Sequence, residues 1–135
     1  MSVNLPECPQ GIAIRPSPVH GLGAFATQDF PAKTALGLYE GIEYTLKDFK
    51  AKYGKDMRYC YQLGRLNKVL CAKEKRNWIT YLNEREPPNC CLQKRGCWTL
   101  TDIKAGEELF LLYDKKGVVK YPRDYTPSGL NRVEN

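Results

Sequence analysis

The sequence predicts one mainly β domain over residues 1–135, a β-rich α+β fold. The chain has 135 residues, enough for a single hydrophobic core and too few for two ordinary domains. Most of its apolar stretches span about five to eight residues between glycines and prolines, the pattern of short strands joined by turns. The apolar fraction of 42% and the charged fraction of 27% are typical of a globular protein and argue against a disordered chain.

The first strands are predicted between proline and glycine residues. "GIAIRPS" is a candidate strand that ends at Pro16 and Pro18, and "GAFATQDF" is a second that stops before Pro31. "TALGLYEGIEY" is predicted as a third strand. The N-terminal part is therefore expected to consist of short strands.

The clearest helix is predicted in "TLKDFKAKYGKD". Leu46, Phe49 and Tyr53 are spaced to share one helical face. Thr45 is placed as the N-cap, and Gly54 is placed to end the helix.

The sequence of the second half of the chain predicts two hairpins and a final strand. "RYCYQLGRLNKVLCA" is expected to turn near Gly64 to Asn67, and "CCLQKRGCWTLTDI" around Lys94 to Gly96. "RNWITYLN" is too short to assign by periodicity. "GEELFLLYD" predicts a turn and a buried strand, and the polar tail from Lys115 is predicted to be irregular.

Charge and cysteine content exclude several classes of function. The formal charge of +6 is scattered, and neither a recognition helix nor a basic stripe favours direct nucleic-acid binding. The six cysteines contain no Cys-x-x-Cys pair and His20 is the single histidine, so no metal site is predicted and the thiols are interpreted as reduced and structural. No membrane span or secretion signal is present, so an intracellular location is expected.

Two features are candidates for a binding site. In "HGLGAFA", Gly21 and Gly23 could let the backbone approach a ligand closely, although such a pair is more often a simple strand connector. The third glycine and the helix of a dinucleotide fingerprint are missing, as are a phosphate-binding loop and a Ser-His-Asp arrangement.

Several tyrosines stand in apolar, strand-like contexts where Phe would pack equally well, namely Tyr39, Tyr59, Tyr61, Tyr81 and Tyr113. Each alone is explained by a hydrogen-bonded core tyrosine. Together they suggest a narrow phenolic pocket suited to a chain that carries an amine.

Five motifs in order resemble those of the SET-domain protein lysine methyltransferases. They are "GLGAFATQDFPAKT", "GLYEG", "YCYQL", "NWITYLNEREPPNC" and "IKAGEELFLLYD", and "NWITYLN" resembles the PR subclass in particular. The resemblance covers a core of about residues 11–114. It implies a SET-domain-like β-clip of small sheets with short helices and a threaded C-terminal segment, with a tail over 115–135 that closes the cofactor site.

The resemblance also implies S-adenosyl-L-methionine as the cofactor and a lysine side chain as the methyl acceptor. The implied cofactor-binding residues are His20, Gly21, Leu22, Gly23, Tyr59, Asn83 and Glu84. Of these, Tyr59 would contact the amino-acid end, and Asn83 with the Glu84 backbone would hold the adenosyl part. Tyr113 would be the catalytic phenol beside the transferred methyl group, and Tyr39 and Tyr61 would bind the substrate lysine.

The sequence departs from the family pattern at two places. Glu84 stands where most members have His, and its side chain is expected to face solvent. No cysteine follows Cys97 to form a terminal zinc cluster, so Tyr121 or Tyr125 is expected to pack near the adenine instead.

Three functions follow from these observations. The first is a nuclear methyltransferase acting on a histone or another lysine-bearing tail, with acidic walls supplied by "EYTLKD", "EREPP" or "GEEL". The second is a PR-like protein-interaction module without turnover. The third, a small basic nucleic-acid binder, would show steep salt dependence.

Overall fold

The computed structural model describes residues 5–63, 67–113 and 119–120, and for residues 113, 119 and 120 it describes the backbone alone. Within these ranges the chain forms short strands, one α-helix and one 3-10 helix. Neither helix has the length and apolar character needed to cross a membrane.

The elements follow one another closely along the chain. Their bounds are β1 (Ile12–Pro16), β2 (Leu22–Ala26), β3 (Ala35–Leu38), β4 (Ile42–Thr45), α1 (Leu46–Tyr53), β5 (Cys60–Gln62), β6 (Lys68–Cys71), the 3-10 helix (Trp78–Tyr81), β7 (Asn83–Glu84), β8 (Cys90–Gln93), β9 (Gly96–Thr99), β10 (Glu108–Tyr113) and β11 (Val119–Lys120).

The strands form three small sheets. One has the order β1-β2-β10-β11, with β7 also paired to β10. The other two have the orders β3-β9-β8 and β4-β6-β5. The predicted fold class, a mainly β domain of small sheets, is therefore confirmed.

Strand β10 joins parts of the chain that are far apart in sequence. Its first two residues pair antiparallel with β2, its middle two pair in parallel with β7, and its last two pair antiparallel with β11. The candidate site is built around this strand.

The hydrophobic core has two parts. The larger part contains residues from all three sheets and includes the buried side chains of Ile79, Leu109 and Leu111. The smaller part lies under α1, where Phe49 packs on Val69 of the third sheet. The amphipathic face predicted for α1 therefore faces the core.

Local sequence signals account for α1. The Thr45 hydroxyl accepts a hydrogen bond from the Asp48 backbone N–H at 3.1 Å, which caps the first turn. Gly54 follows the last turn at a φ of 67°, a conformation that favours glycine. The predicted N-cap and stop are both confirmed.

Three regions differ from the prediction. "TALGLYEGIEY" forms two strands, β3 and β4, in different sheets. Irregular residues 39–41 separate the two strands, and a Cβ atom at Gly41 would lie 2.7 Å from the Cys71 carbonyl oxygen, so only glycine allows this approach. The ambiguous segment "RNWITYLN" forms the 3-10 helix, and Val119–Lys120 forms a strand in the tail predicted to be irregular.

Both predicted hairpins are present. Strand β5 pairs with β6, although the turn residues 64–66 lie outside the described ranges. Strand β8 pairs with β9 through Lys94 and Arg95, which both have positive φ values, 54° and 67°.

Candidate functional site

The site begins with the turn from β1 to β2. Gly21 has a φ of 46°, and its carbonyl accepts a hydrogen bond from the Ser17 backbone N–H at 2.7 Å. The Ser17 hydroxyl accepts from the backbone N–H groups of Val19 and His20, at 3.0 and 3.4 Å. The turn is therefore held by its own backbone and by one serine.

Asn83 connects this turn to β10. Its side-chain amide lies 3.0 Å from the His20 carbonyl and 3.2 Å from the Leu22 carbonyl. The same nitrogen donates to the Glu108 carboxylate at 2.8 Å. Because all three partners are acceptors, the group that faces them must be the NH₂ of the amide. One side chain thus links the glycine turn, β7 and β10.

Glu108 is a buried carboxylate at the centre of this cluster. The Ser17 hydroxyl lies 2.7 and 2.9 Å from its two oxygens, and the Asn83 amide contacts it from the other side. A Cβ atom added at Gly23 would collide with this carboxylate, so Gly23 is required by packing. Glu108 is satisfied internally, which excludes it from the acidic walls proposed for "GEEL".

The loop between β7 and β8 runs beside β10. The buried side chain of Asn89 donates to the Glu108 carbonyl at 2.8 Å and accepts from the Phe110 N–H at 2.7 Å. The Arg85 N–H donates to the Leu111 carbonyl at 3.2 Å. Asn83 and Asn89, at the two ends of the loop "NEREPPNC", therefore both attach this loop to β10.

The two tyrosines predicted to bind substrate lie in contact. Tyr39, between β3 and β4, is buried, and the centroid of its ring is 5.6 Å from that of Tyr61 on β5. The planes of the two rings are tilted by 41°. The Tyr39 N–H donates to the Arg95 carbonyl at 2.6 Å, which places its backbone against the second sheet.

Tyr59 belongs to an aromatic and cationic stack. Its backbone has a φ of 61°, and its ring lies over the Arg76 guanidinium, with the central carbon 4.1 Å from the ring centroid. The ring of Tyr81 lies 3.9 Å from the same carbon. Arg76 is therefore held between two phenol rings, an arrangement favourable to a guanidinium.

Comparison with known proteins identifies the family. A family model described as the SET domain matches residues 21–114. The chain belongs to the SET-domain family. Comparison of the sequence with curated proteins finds no match.

Solved structures share the SET-domain fold at low sequence identity. "Crystal structure of an active polycomb repressive complex 2 in the stimulated state" is 20% identical at a TM-score of 0.69, covering 79% of this chain and 15% of that chain. The corresponding basal-state structure is 21% identical at a TM-score of 0.67, with coverages of 79% and 16%. "Structure of ctPRC2 in complex with H3K27me3 and H3K27M" is 20% identical at a TM-score of 0.70, with coverages of 86% and 17%. This chain thus spans less than a fifth of the length of those chains.

Of the remaining predicted site residues, the Tyr113 backbone and Glu84 lie at β10. The Tyr113 backbone ends β10, next to Val119 of β11, while its side chain lies outside the described part of the structure. Tyr121 and Tyr125 also lie outside the described ranges. Glu84 pairs in parallel with Leu111, and its side chain is exposed as expected.

The residues present fit the cofactor of this family. A Cβ atom added at Gly21 would meet nothing within 4 Å, and Gly21 and its neighbour His20 are exposed, so the turn is open to a ligand. Gly23 and Asn83 support it from the interior. An open backbone turn suits the close approach of a ligand such as the cofactor of this family.

Two residues of the candidate site, Ser17 and Arg76, were not assigned roles from the sequence, Asn89 entered only within the motif "NWITYLNEREPPNC", and Glu108 was placed in an acidic wall instead. The signal for Asn89 was its place in the Pro-Asn-Cys end of the motif "NWITYLNEREPPNC". Glu108 had none, since a carboxylate at the start of an apolar strand is expected to face solvent. Ser17 and Arg76 are recognisable only from their partners.

Proposed function

We propose that this chain is an S-adenosyl-L-methionine-dependent protein lysine N-methyltransferase. The observation that carries the proposal is the amide of Asn83, which joins the glycine turn to β10, the strand that ends at Tyr113. A purely structural domain does not require an open glycine turn supported by a partly buried asparagine and a buried glutamate. Membership of the SET-domain family supports the same reaction class.

In this proposal the residues of the glycine turn, with Tyr59, Asn83 and the Glu84 backbone, hold the cofactor. When bound, the cofactor supplies an electrophilic methyl group on a sulfonium. The chain supplies alignment, because a substitution at carbon requires the attacking nitrogen, the methyl carbon and the leaving sulfur to be in line. The contact between Tyr39 and Tyr61 supports a rigid aromatic wall for the lysine.

The lysine must lose a proton before it attacks. Its pKa in water is about 10.4, so most of the amine is protonated at neutral pH. Aromatic walls that exclude water favour the neutral form and lower this pKa. Tyr113 is proposed as the phenol that orients the neutral nitrogen near the reacting carbon.

The proposed substrate is a histone lysine, and the proposed location is the nucleus. One structural neighbour is named with forms of histone H3, which supports a histone tail as the first substrate to test. We assign the chain to the PR-like subclass on the segment "NWITYLN". Glu40 is an exposed carboxylate that could attract a basic tail, whereas the exposed Glu43 is paired with Lys68 at 3.0 Å.

The test is incubation of the purified chain with radiolabelled cofactor and core histones. We expect label on a lysine, mapped by mass spectrometry, and a thermal shift when the cofactor binds. If the cofactor binds but no histone is methylated, the result would favour the second function, a PR-like protein-interaction module without turnover. Absence of both binding and transfer would overturn the proposal.

A further inference from the structure

The net positive charge of the chain belongs to one unit of the fold. This unit, residues 42–76, comprises β4, α1, β5 and β6 with the short segment that follows β6. It contains ten Lys and Arg residues and four Asp and Glu residues, a net charge of +6, whereas the rest of the chain contains eleven of each. A charge that looks scattered along the sequence is therefore concentrated on the third sheet and its helix.

The ion pairs within this unit leave three exposed lysines without an acidic partner. Three of the four carboxylates pair with cations of the same unit at N–O distances of 2.8 to 3.3 Å, namely Glu43 with Lys68, Glu74 with Lys52, and Asp56 with Arg58 and Lys73. The ion pairs of the described residues include none of Lys47, Lys50 and Lys55, and all three side chains are exposed. These three charges are available to an external anion.

The three lysines lie along α1 and directly after it. Lys47 and Lys50 are three residues apart and are therefore neighbours on the surface of the helix. Phe49, between them in sequence, is fully buried against the third sheet. Lys55 follows Gly54, the residue that ends the helix. The helix thus packs its apolar side on the sheet and presents lysines to solvent.

The composition of this surface fits nucleic acid better than a protein or a membrane. Protein interfaces have an apolar core and are depleted in Lys, and a helix that lies on a membrane buries exposed apolar side chains in the lipid. No large apolar side chain of α1 is exposed. Surfaces that bind single strands offer free aromatic rings to the bases, whereas the rings of Tyr44 and Tyr53 contact each other and Lys52. Lysines without an apolar or aromatic surround are suited to the phosphates of a duplex.

We propose that the outward side of α1, with Lys47, Lys50 and Lys55, binds the phosphate backbone of double-stranded DNA without reading its sequence. The inference does not rest on the proposed function, because none of the three lysines belongs to the candidate site. It departs from the expectation, drawn from the sequence, that nothing favours direct contact with nucleic acid. The concentration of charge becomes evident only when residues are grouped by the unit into which they fold.

The experiment measures the binding of a short fluorescent DNA duplex by anisotropy at salt concentrations between about 50 and 200 mM. The wild-type chain is compared with the triple variant Lys47→Gln, Lys50→Gln and Lys55→Gln. The matched control is the triple variant Arg15→Gln, Lys33→Gln and Lys104→Gln, which removes the same charge from exposed residues outside the unit. Circular dichroism and thermal unfolding check that both variants fold.

We expect the logarithm of the wild-type affinity to fall with the logarithm of the salt concentration at a slope of about −3, since each neutralised phosphate contributes about −0.9. The α1 variant should lose most of this slope and bind about tenfold or more weakly at about 50 mM salt, while the slope of the control should change by less than about 1.

Equal losses in the two triple variants would show that net charge and not this surface attracts DNA, and would overturn the proposal. Tighter binding of single-stranded DNA or of duplex RNA would overturn the assignment to duplex DNA, and so would the absence of binding by the wild type. Labelled-methyl transfer to histones, measured in parallel, should be unchanged in the α1 variant. Its absence in the wild type would count against the proposed function alone.

Discussion

Asn83 shows how one side chain can organise a site from separate segments. Its amide contacts two carbonyls of the glycine turn and the carboxylate of Glu108, all far away along the chain. Removing it would leave the buried carboxylate with Ser17 as its remaining side-chain donor. A buried acceptor that loses its partner costs free energy because water cannot replace the bond.

We therefore expect Asn83→Ala to lower the free energy of unfolding by about 1–3 kcal/mol. It should also weaken cofactor binding, because the His20 and Leu22 carbonyls lose their common donor. Urea unfolding measures the first effect and calorimetry the second. Glu84→Ala, at the exposed neighbour, is the control and should stay within about 0.5 kcal/mol of wild type. Equal stability of the two variants would contradict the role of Asn83.

A second prediction at the residue scale concerns Tyr113. Tyr113→Phe keeps the aromatic ring and removes the hydroxyl proposed to orient the lysine nitrogen. We expect the variant to fold normally and to lose most of its methyl transfer, about 100-fold or more, as is typical of removing one positioned catalytic group. Circular dichroism checks the fold and a labelled-methyl assay checks the rate. Full activity would remove Tyr113 from the mechanism.

At the scale of elements, β10 is the organising strand. Its successive residue pairs bond to β2, β7 and β11. The glycine turn before β2, the asparagine loop after β7 and strand β11 are therefore all attached to one strand. Asn89 adds side-chain bonds to the same strand. A site spread over these segments is positioned by a strand that is buried along most of its length.

The helix α1 tests how far local signals act alone. Thr45→Ala removes the cap bond to Asp48 and should cost about 1 kcal/mol of stability. Thr45→Ser retains the hydroxyl and should lie close to wild type. Thermal unfolding of the two variants measures the difference. If both were equally destabilised, packing of the threonine methyl group rather than capping would be the cause.

The segment that follows α1 is stabilised by an ion cluster. Arg58 contacts both oxygens of Asp56, at 2.9 and 2.8 Å, and Lys73 approaches at 3.3 Å. The hydrogen bonds from Arg58 hold the pKa of Asp56 well below its usual value. A carboxyl group whose pKa is lower in the folded protein than in the unfolded chain stabilises the fold at pH values above its unfolded pKa of about 4. This stabilisation is lost as the pH falls from there towards the pKa of the folded state.

We therefore expect Asp56→Asn to lower the melting temperature at pH 7 and to have a smaller effect at pH 3. The difference between variant and wild type should shrink as the pH falls from about 5. Melting curves at several pH values measure it. A difference that stays constant with pH would show that the carboxylate charge contributes nothing.

At the scale of the whole molecule, the core contains most of the thiols. Cys60, Cys71, Cys90, Cys91 and Cys97 are buried, and Cys8 is partly exposed. Burial raises the pKa of Cys60 and of Cys91 to about 12. These thiols are therefore protonated at neutral pH and poorly reactive.

Thiol alkylation should consequently report on the integrity of the fold. We expect iodoacetamide at pH 8 to modify Cys8 first in the native protein. The five buried thiols should react only after global unfolding, as followed by mass spectrometry. Complete reaction in denaturant is the control. Rapid native-state modification of Cys60 or Cys91 would show that these parts of the core open independently.

Much of the fold could be predicted from local patterns. Strands between glycines and prolines, the capped helix and the two hairpins depend on residues within a few positions of one another. Two strand predictions proved wrong in extent: "GAFATQDF" forms a strand only to Ala26, and "TALGLYEGIEY" forms two strands. Gly41, beside the break in the latter, lies against the distant Cys71 backbone, a contact that no local pattern shows.

Local sequence patterns were enough to predict most of the elements of this protein, and five motifs that resemble those of the SET domain were enough to predict its family. The tertiary structure alone decided that a glutamate at the start of an apolar strand is buried beside Ser17, 91 positions away, and that Arg76 lies between two tyrosines. The reason is physical. Local conformational preference acts over one turn or one hairpin, whereas the environment of a buried charge is set by which distant segments the chain topology brings together.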